Sequence, residues 1–371
     1  AILSVVQVGF VATGVLNIII GLIIRASGGK EAVDRILPPI ITGSVALTIG
    51  VGLGNSALNN ASGYLYNPEG NVSWWIVALT TVIATFIFSV YLQGKGFISM
   101  LPILFGAIVG YLVAIPLKLV DFSGIGSHSF FNVPAFTLPN FAGLPDLPIW
   151  SVIFGIGIMA IATIPESTAH LYQISLYVDH TATELGREKY GLSRYIGLNL
   201  MLDGLNDLVN GLFGSVAGTN YGENNSLMVI TRNYSGPVLI TAGLIAMILG
   251  FIGPLYDIIH TIPEAVTGGL SIYLFGVIGM QGIALMMAEK VNLFDPAQLA
   301  IGAVIMIVGI GGNIGFPDGF LPIPLLKSVF PGGWPAIATA AVLGILMNLI
   351  LVVWKPSMQR EVVEKEGEKD A

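Results

Sequence analysis

The reading of this chain turns on Thr219-Asn220-Tyr221-Gly222-Glu223-Asn224-Asn225-Ser226-Leu227-Met228-Val229-Ile230-Thr231-Arg232, a polar, glycine-containing run set between long apolar segments. A bilayer core holds no water to satisfy open N–H and C=O groups. Irregular polar backbone at membrane depth therefore persists only where protein surrounds it or where it lines a cavity. The run marks a pocket, and it points to a substrate site inside a transporter.

Outward from that run, the composition sets the class. Of 371 residues, 54% are hydrophobic and 10% charged, and the mean hydropathy is +0.83, against about 25% charged residues in a soluble domain. The chain is expected to be an all-α polytopic membrane protein. Apolar runs able to cross about 30 Å of hydrocarbon fall at 2–24, 36–57, 73–93, 97–117, 149–176, 195–213, 236–258, 264–288, 296–312 and 334–354, with 223–234 as a short, broken further crossing. Trp74, Trp75, Trp150, Trp334 and Trp354 all fall at span ends, where an aromatic belt meets the interface.

Positive charge accumulates in cytoplasmic loops. On this span map only Lys118 and Lys327, of 15 Lys and Arg, fall on the sparse side. The partition works only if residues 195–234 cross out and back, so the broken segment must count as a crossing. The map predicts a chain that starts outside and a C-terminus in the cytoplasm. The formal charge of −7 owes much to the solvated run from Glu361 to Asp370 and says nothing about partners. No cysteine is present, which excludes disulfides, thiolate metal sites and cysteine nucleophiles and suits a bacterial inner membrane. Ala1 stands inside an apolar stretch with neither Met nor a signal-peptide pattern, so further N-terminal sequence is expected before it.

Two connections are long. Residues 118–148 are rich in Pro and Phe, and 313–333 in Gly and Pro. Neither shows a cluster of titratable groups, and both are expected to be apolar lids over helix ends.

Ionisable side chains inside spans cost about 2.5–3.5 kcal/mol on insertion scales and are functional candidates by default. They are Glu166 and His170, then Asp203 and Asp207, and Glu223 in the broken segment. Glu166 and His170 stand four residues apart and share a helix face, and Pro165 loosens the turn before them. The pair can share a proton, or it can be a buried hydrogen-bonded pair that pins two helices. Asp203 sits one turn deeper than Asp207, which lies near the outer end of its span and within reach of water. In the broken segment, 216–221 reads as an extended piece and Gly222 allows close approach. A half-helix then follows, and its N-terminus presents Glu223 and Asn224, facing Glu166 across a cavity. A carboxylate and a carboxamide there match the N–H and C=O edge of a nucleobase, or they simply cap the half-helix.

At these residues the chain resembles the nucleobase/ascorbate transporter family, most closely its bacterial uracil-permease branch. The resemblance rests on the signature-like Glu223-Asn224-Asn225-Ser226-Leu227-Met228-Val229-Ile230-Thr231-Arg232, the preceding Tyr221-Gly222, and Glu166-Ser167-Thr168-Ala169-His170. Leu37-Pro38-Pro39 and Tyr273-Leu274-Phe275-Gly276-Val277-Ile278-Gly279 extend it over essentially the whole chain.

The resemblance implies fourteen segments in two inverted repeats of seven, divided into core and gate domains. Residues 1–25 would supply a core helix, 26–117 gate helices, 118–148 an outer loop, 149–260 core helices including the broken 216–234, 261–354 gate helices, and 355–371 a cytoplasmic tail. It implies proton symport of a nucleobase, most simply uracil, by a homodimer in the inner membrane, with no cofactor, metal or nucleic acid. It also implies that Glu166 and Glu223 bind the base, that the backbone near Tyr221 and Gly222 contacts it, that Asn224 shapes the site, and that His170 assists proton coupling. Ser226 stands where the signature has Gly. The first residues resemble the family's fourth helix, so three helices, one of them broken and completing the pocket, are expected to precede them. The alternatives are a xanthine or uric acid carrier, which the acid at Asp203 favours, and an anion carrier or channel of related fold, which Glu166 and Glu223 oppose. An enzyme is disfavoured, since neither His-Glu-x-x-His nor Gly-x-Ser-x-Gly occurs.

Overall fold

The protein is described by a computed structural model over residues 2–92, 94–144, 148–157, 159–221, 224–225, 228, 232–325 and 333–354. Helices dominate: α1 (Ile2–Ala26), α2 (Lys30–Ile36), α3 (Pro39–Gly52), α4 (Gly54–Ser62), α5 (Val72–Tyr91), α6 (Pro102–Ala114), α7 (Ile149–Gly157), α8 (Met159–Glu184) and α9 (Ile196–Phe213). After the broken segment come α10 (Gly236–Leu249), α11 (Gly253–His260), α12 (Glu264–Ala288), α13 (Pro296–Met306), α14 (Gly312–Gly315) and α15 (Ala336–Val353). A π-turn over Ile307–Gly311 joins α13 to α14.

Local chemistry sets the helix starts. Asn71 Oδ1 accepts the Ser73 N–H at 2.9 Å to begin α5, and Asp295 Oδ1 accepts the Ala297 N–H at 3.0 Å to begin α13. Pro39, Pro102 and Pro296 occupy first turns, where their missing N–H has no helical partner to lose.

Among the described residues, six helical stretches are long and apolar enough to cross a membrane: Ile2–Ala26, Pro39–Ser62, Val72–Tyr91, Glu264–Ala288, Pro296–Gly315 and Ala336–Val353. The chain is an integral membrane protein of the all-α class. The spans expected at 97–117 and 236–258 are shorter as helices. A 3-10 turn over Gly96–Met100 precedes α6, and the chain breaks after Leu249 before restarting at Gly253-Pro254 as α11, outside the apolar helix. Helices α8 and α9 are long enough but too polar to join the six, because they carry the residues treated below.

Helix α1 lies antiparallel against α9 and also touches α7 and α8. The crossing depends on missing side chains. A Cβ on Gly14 would stand 2.5 Å from the Gly204 carbonyl oxygen, and one on Gly21 would stand 2.7 Å from that of Gly197, so the backbones approach closely only because both partners are glycine. On the other side of the molecule α3, α4 and α5 surround α12, α6 packs on α5, and α13 and α15 close over α3. The buried residues Ile40, Ile41, Ile164, Tyr172, Ile305 and Ala340 connect the two groups.

The long connection over residues 118–148 differs from expectation. Phe130, Phe131, Phe136 and Phe141 are largely exposed, and of the four Phe136 meets Phe213 edge to face at the end of α9. Polar bonds hold the loop instead. Asn132 N–H donates to Phe251 O at 2.9 Å, Gly253 N–H donates to Phe130 O at 3.0 Å, and Asn140 N–H donates to Ser4 O at 2.7 Å. The loop also carries a titratable cluster unseen in the sequence. His128 Nδ1 lies 2.6 Å from Asp257 Oδ1, and Gly126 N–H donates to Asp257 Oδ2 at 2.9 Å. Asp257 is distant in sequence, on α11, which is why the cluster was not legible. The second connection carries a two-stranded antiparallel pair, β1 (Phe320–Leu321) with β2 (Trp334–Pro335), in which Phe320 pairs with Pro335 and Leu321 with Trp334.

Candidate substrate site

Helix α9 stops at Gly214, whose left-handed φ of 95° caps the last turn. Residues 215–221 then run without helix, as the sequence suggests for 216–221. This segment needs partners for its polar groups, and α8 and α9 supply them. Asn220 Nδ2 donates to Ser167 Oγ at 2.9 Å and to Asn199 Oδ1 at 3.2 Å, while Asn199 Nδ2 donates to the same Ser167 Oγ at 2.9 Å. With both acceptor positions of Ser167 occupied, its single O–H is left to donate, and Asp203 is the carboxylate beside it.

Asp207, one turn along α9, fixes the other end of the segment. Its Oδ1 accepts the Gly218 N–H at 2.8 Å and its Oδ2 faces Asn17 Nδ2 of α1 at 3.4 Å. Expected to meet water, it is instead 2% exposed, because α1 and the non-helical segment cover that face of α9. Gln7 of α1 adds a further anchor, donating through Nε2 to Gly211 O at 3.0 Å and to Thr137 O at 2.8 Å.

On α8, Glu166 is half-buried, and Ser167 and His170 are buried. Pro165 sits inside the helix and removes one helical N–H just before Glu166. The Asn225 side chain reaches back to α8, donating to His170 O at 3.0 Å. Asn225 is buried whereas Asn224 is exposed, so it is Asn225 that faces α8 here. Tyr221 is exposed. Gly222, Glu223 and Ser226 lie outside the described residues, and with them the expected approach of Glu223 to Glu166.

The site thus brings Glu166, His170, Asp203 and Asp207 together around α8 and α9. Sequence reasoning passed over Ser167, Asn199, Asn220 and Asn225 because it searched for ionisable groups. A usable signal existed: Asn199, Asp203 and Asp207 recur every four residues and stack on one face of α9.

Beyond His170 a cavity of about 370 Å³ opens between α8 and α12, lined by Ala46, His170, Gln173, Tyr177, Gln281 and Leu285 among others. His170 Nδ1 is buried at its edge with no bond of good geometry among the described residues, and the Asn220 main chain stands beside the ring. Among the described residues no group of three His, Asp or Glu side chains is arranged to hold a metal ion.

The Permease family model for xanthine and uracil permeases matches residues 2–317, which take in α1 to α14 and the whole site. The chain belongs to the nucleobase/ascorbate transporter family. This family member is 33% identical over 347 residues to a uracil permease of Bacillus caldolyticus, covering 93% of this chain and 74% of that protein. It is 32% identical over 354 residues to a uracil permease of Bacillus subtilis strain 168, covering 93% and 75% respectively. A uracil permease of Escherichia coli K12 is 31% identical over 363 residues, covering 96% and 76%. The family member is a permease and not an enzyme. Its α8 motif Glu166-x-x-x-His170 and its segment around Asn220 both lie inside the matched region.

Proposed function

We propose that the protein carries a nucleobase, uracil, across the inner membrane by proton-coupled alternating access, with its C-terminus in the cytoplasm. The observation that carries this reading is the convergence of Glu166, Ser167 and His170 of α8 with Asn199 and Asn220 beside a cavity. The uracil permeases among its relatives support the choice of base.

Uracil presents alternating N–H and C=O groups around a small planar ring. Glu166 accepts an N–H in this reading, Glu223 accepts a second, and the main chain near Tyr221 and Gly222 takes part at the C=O edge. Asn224 and Ser226 border the ring. His170, a group able to exchange a proton near neutral pH, stands one turn from Glu166 and passes the coupling proton. The base is held by α1 and α7–α11 as a core, and α2–α6 with α12–α15 move against it as a gate. The resemblance supports a homodimer, and the one-sided distribution of Lys and Arg supports the orientation.

Calorimetric titration of the purified protein with uracil and with xanthine tests the reading. Uracil binding that is lost in Glu166→Gln is expected. Tight xanthine binding with none for uracil would move the assignment to the purine carriers.

A further inference from the structure

The cavity between α8 and α12 extends well past the groups assigned above. Along α8 its wall is His170, Gln173, Tyr177 and His180, whose spacing of three, four and three residues keeps them on one helix face. The opposite wall is α12, with Ile278, Gln281, Leu285 and Ala288. A second, more open cavity of about 770 Å³ continues along α12 past Tyr273 and Met280, and Gln173, Tyr177 and Gln281 line both spaces. The two glutamines therefore stand where the cavities meet, one on each wall.

Each is the only carboxamide of its helix. In α12 the contrast is strong, because the helix is otherwise one of the six apolar spans. A carboxamide in such a span is retained against its insertion cost when it has a polar function to serve. A primary amide offers one donor edge and one acceptor in a plane, the complement of an adjacent N–H and C=O on a pyrimidine ring. Two amides on facing walls grip the two such edges of one ring. At the far end of the cavity stand His180 and Ala288, from which the chain runs on to Arg187, Lys189 and Lys290, on the Lys- and Arg-rich side of the span map.

Resting on the functional reading above, we propose that Gln173 and Gln281 form a second binding station for the base, a facing carboxamide pair on the cytoplasmic side of His170. Uracil leaving Glu166 pauses between the two amides before release. Because one amide rides on each wall, the station is complete only when α8 and α12 stand at the right separation, which makes it sensitive to the position of the gate.

The absence of cysteine permits a direct test in which Gln173→Cys and Gln281→Cys each introduce one thiol. In inside-out vesicles, a membrane-impermeant maleimide is expected to label both, and saturating uracil is expected to slow each reaction about 10-fold. In transport, Gln173→Ala and Gln281→Ala are expected to raise the half-saturating uracil concentration on the cytoplasmic face about 10-fold, the effect of losing roughly 1.4 kcal/mol of hydrogen bonding. The outer-face value should change less than about twofold, an asymmetry that a merely structural role would not produce. Uracil binding without protection of either thiol, or equal shifts on both faces, would overturn the station while leaving the functional reading intact. Absence of uracil binding in the unmodified protein would overturn both.

Discussion

Asn220 Nδ2 lies 2.9 Å from Ser167 Oγ, and this bond fastens the non-helical segment after α9 to the residue next to Glu166. Ser167→Ala would remove the acceptor that the Asn199 and Asn220 amides share in a part-buried site. We expect a stability loss of about 1–3 kcal/mol and a fall in uracil affinity of about 10-fold, read by thermal melting and equilibrium binding. Unchanged affinity would separate the segment from substrate recognition.

Glu166 and His170 are expected to fail differently. Glu166→Gln replaces an anionic acceptor with an amide and should abolish uracil binding. His170→Ala should impair proton-driven uptake more than binding. Paired binding and uptake assays distinguish the two roles, and an equal loss of binding in both variants would contradict the division.

The α1–α9 crossing offers a test of packing alone. Gly14→Leu places its side chain against Gly204 O and Leu208, and overpacking of this kind costs about 1–3 kcal/mol. Gly243→Ala, where no atom lies within 4 Å of the added carbon, serves as the control and should melt like the parent protein.

These tests divide along the line between what the sequence made legible and what it did not. The helical spans were readable because lipid imposes a length and an apolar composition on each crossing. Glu166, His170 and Asp203 were readable because charge in a span is costly. The amide network was not, since Asn199, Asn220 and Asn225 titrate nothing and gain meaning only when three separate elements meet. Burial of Asp207 was hidden for the same reason, as its cover comes from Asn17 and Gly218, on α1 and the extended segment. The loop tether through His128 and Asp257 spans 129 residues of sequence, a separation no local pattern reports.

That tether carries a pH prediction. The hydrogen bond from His128 holds the Asp257 carboxyl below the ordinary carboxylate range, with further help from Gly126 and Ser127. A depressed folded value means the contribution is present above the unfolded value of about 3.9 and is lost as pH falls through the folded one. Protease nicking between residues 118 and 131 should therefore rise on acidification below about pH 4. Asp257→Asn should show the raised nicking already at neutral pH. Nicking of the parent that does not change with pH would remove Asp257 from the tether.

The most direct test of the central claim is accumulation of labelled uracil by cells that lack their own uracil uptake and express this protein, with unlabelled bases as competitors. The account predicts accumulation that unlabelled uracil suppresses and xanthine does not, and that collapses when a protonophore removes the proton gradient. Accumulation suppressed by xanthine but not by uracil, or uptake indifferent to the protonophore, would contradict it.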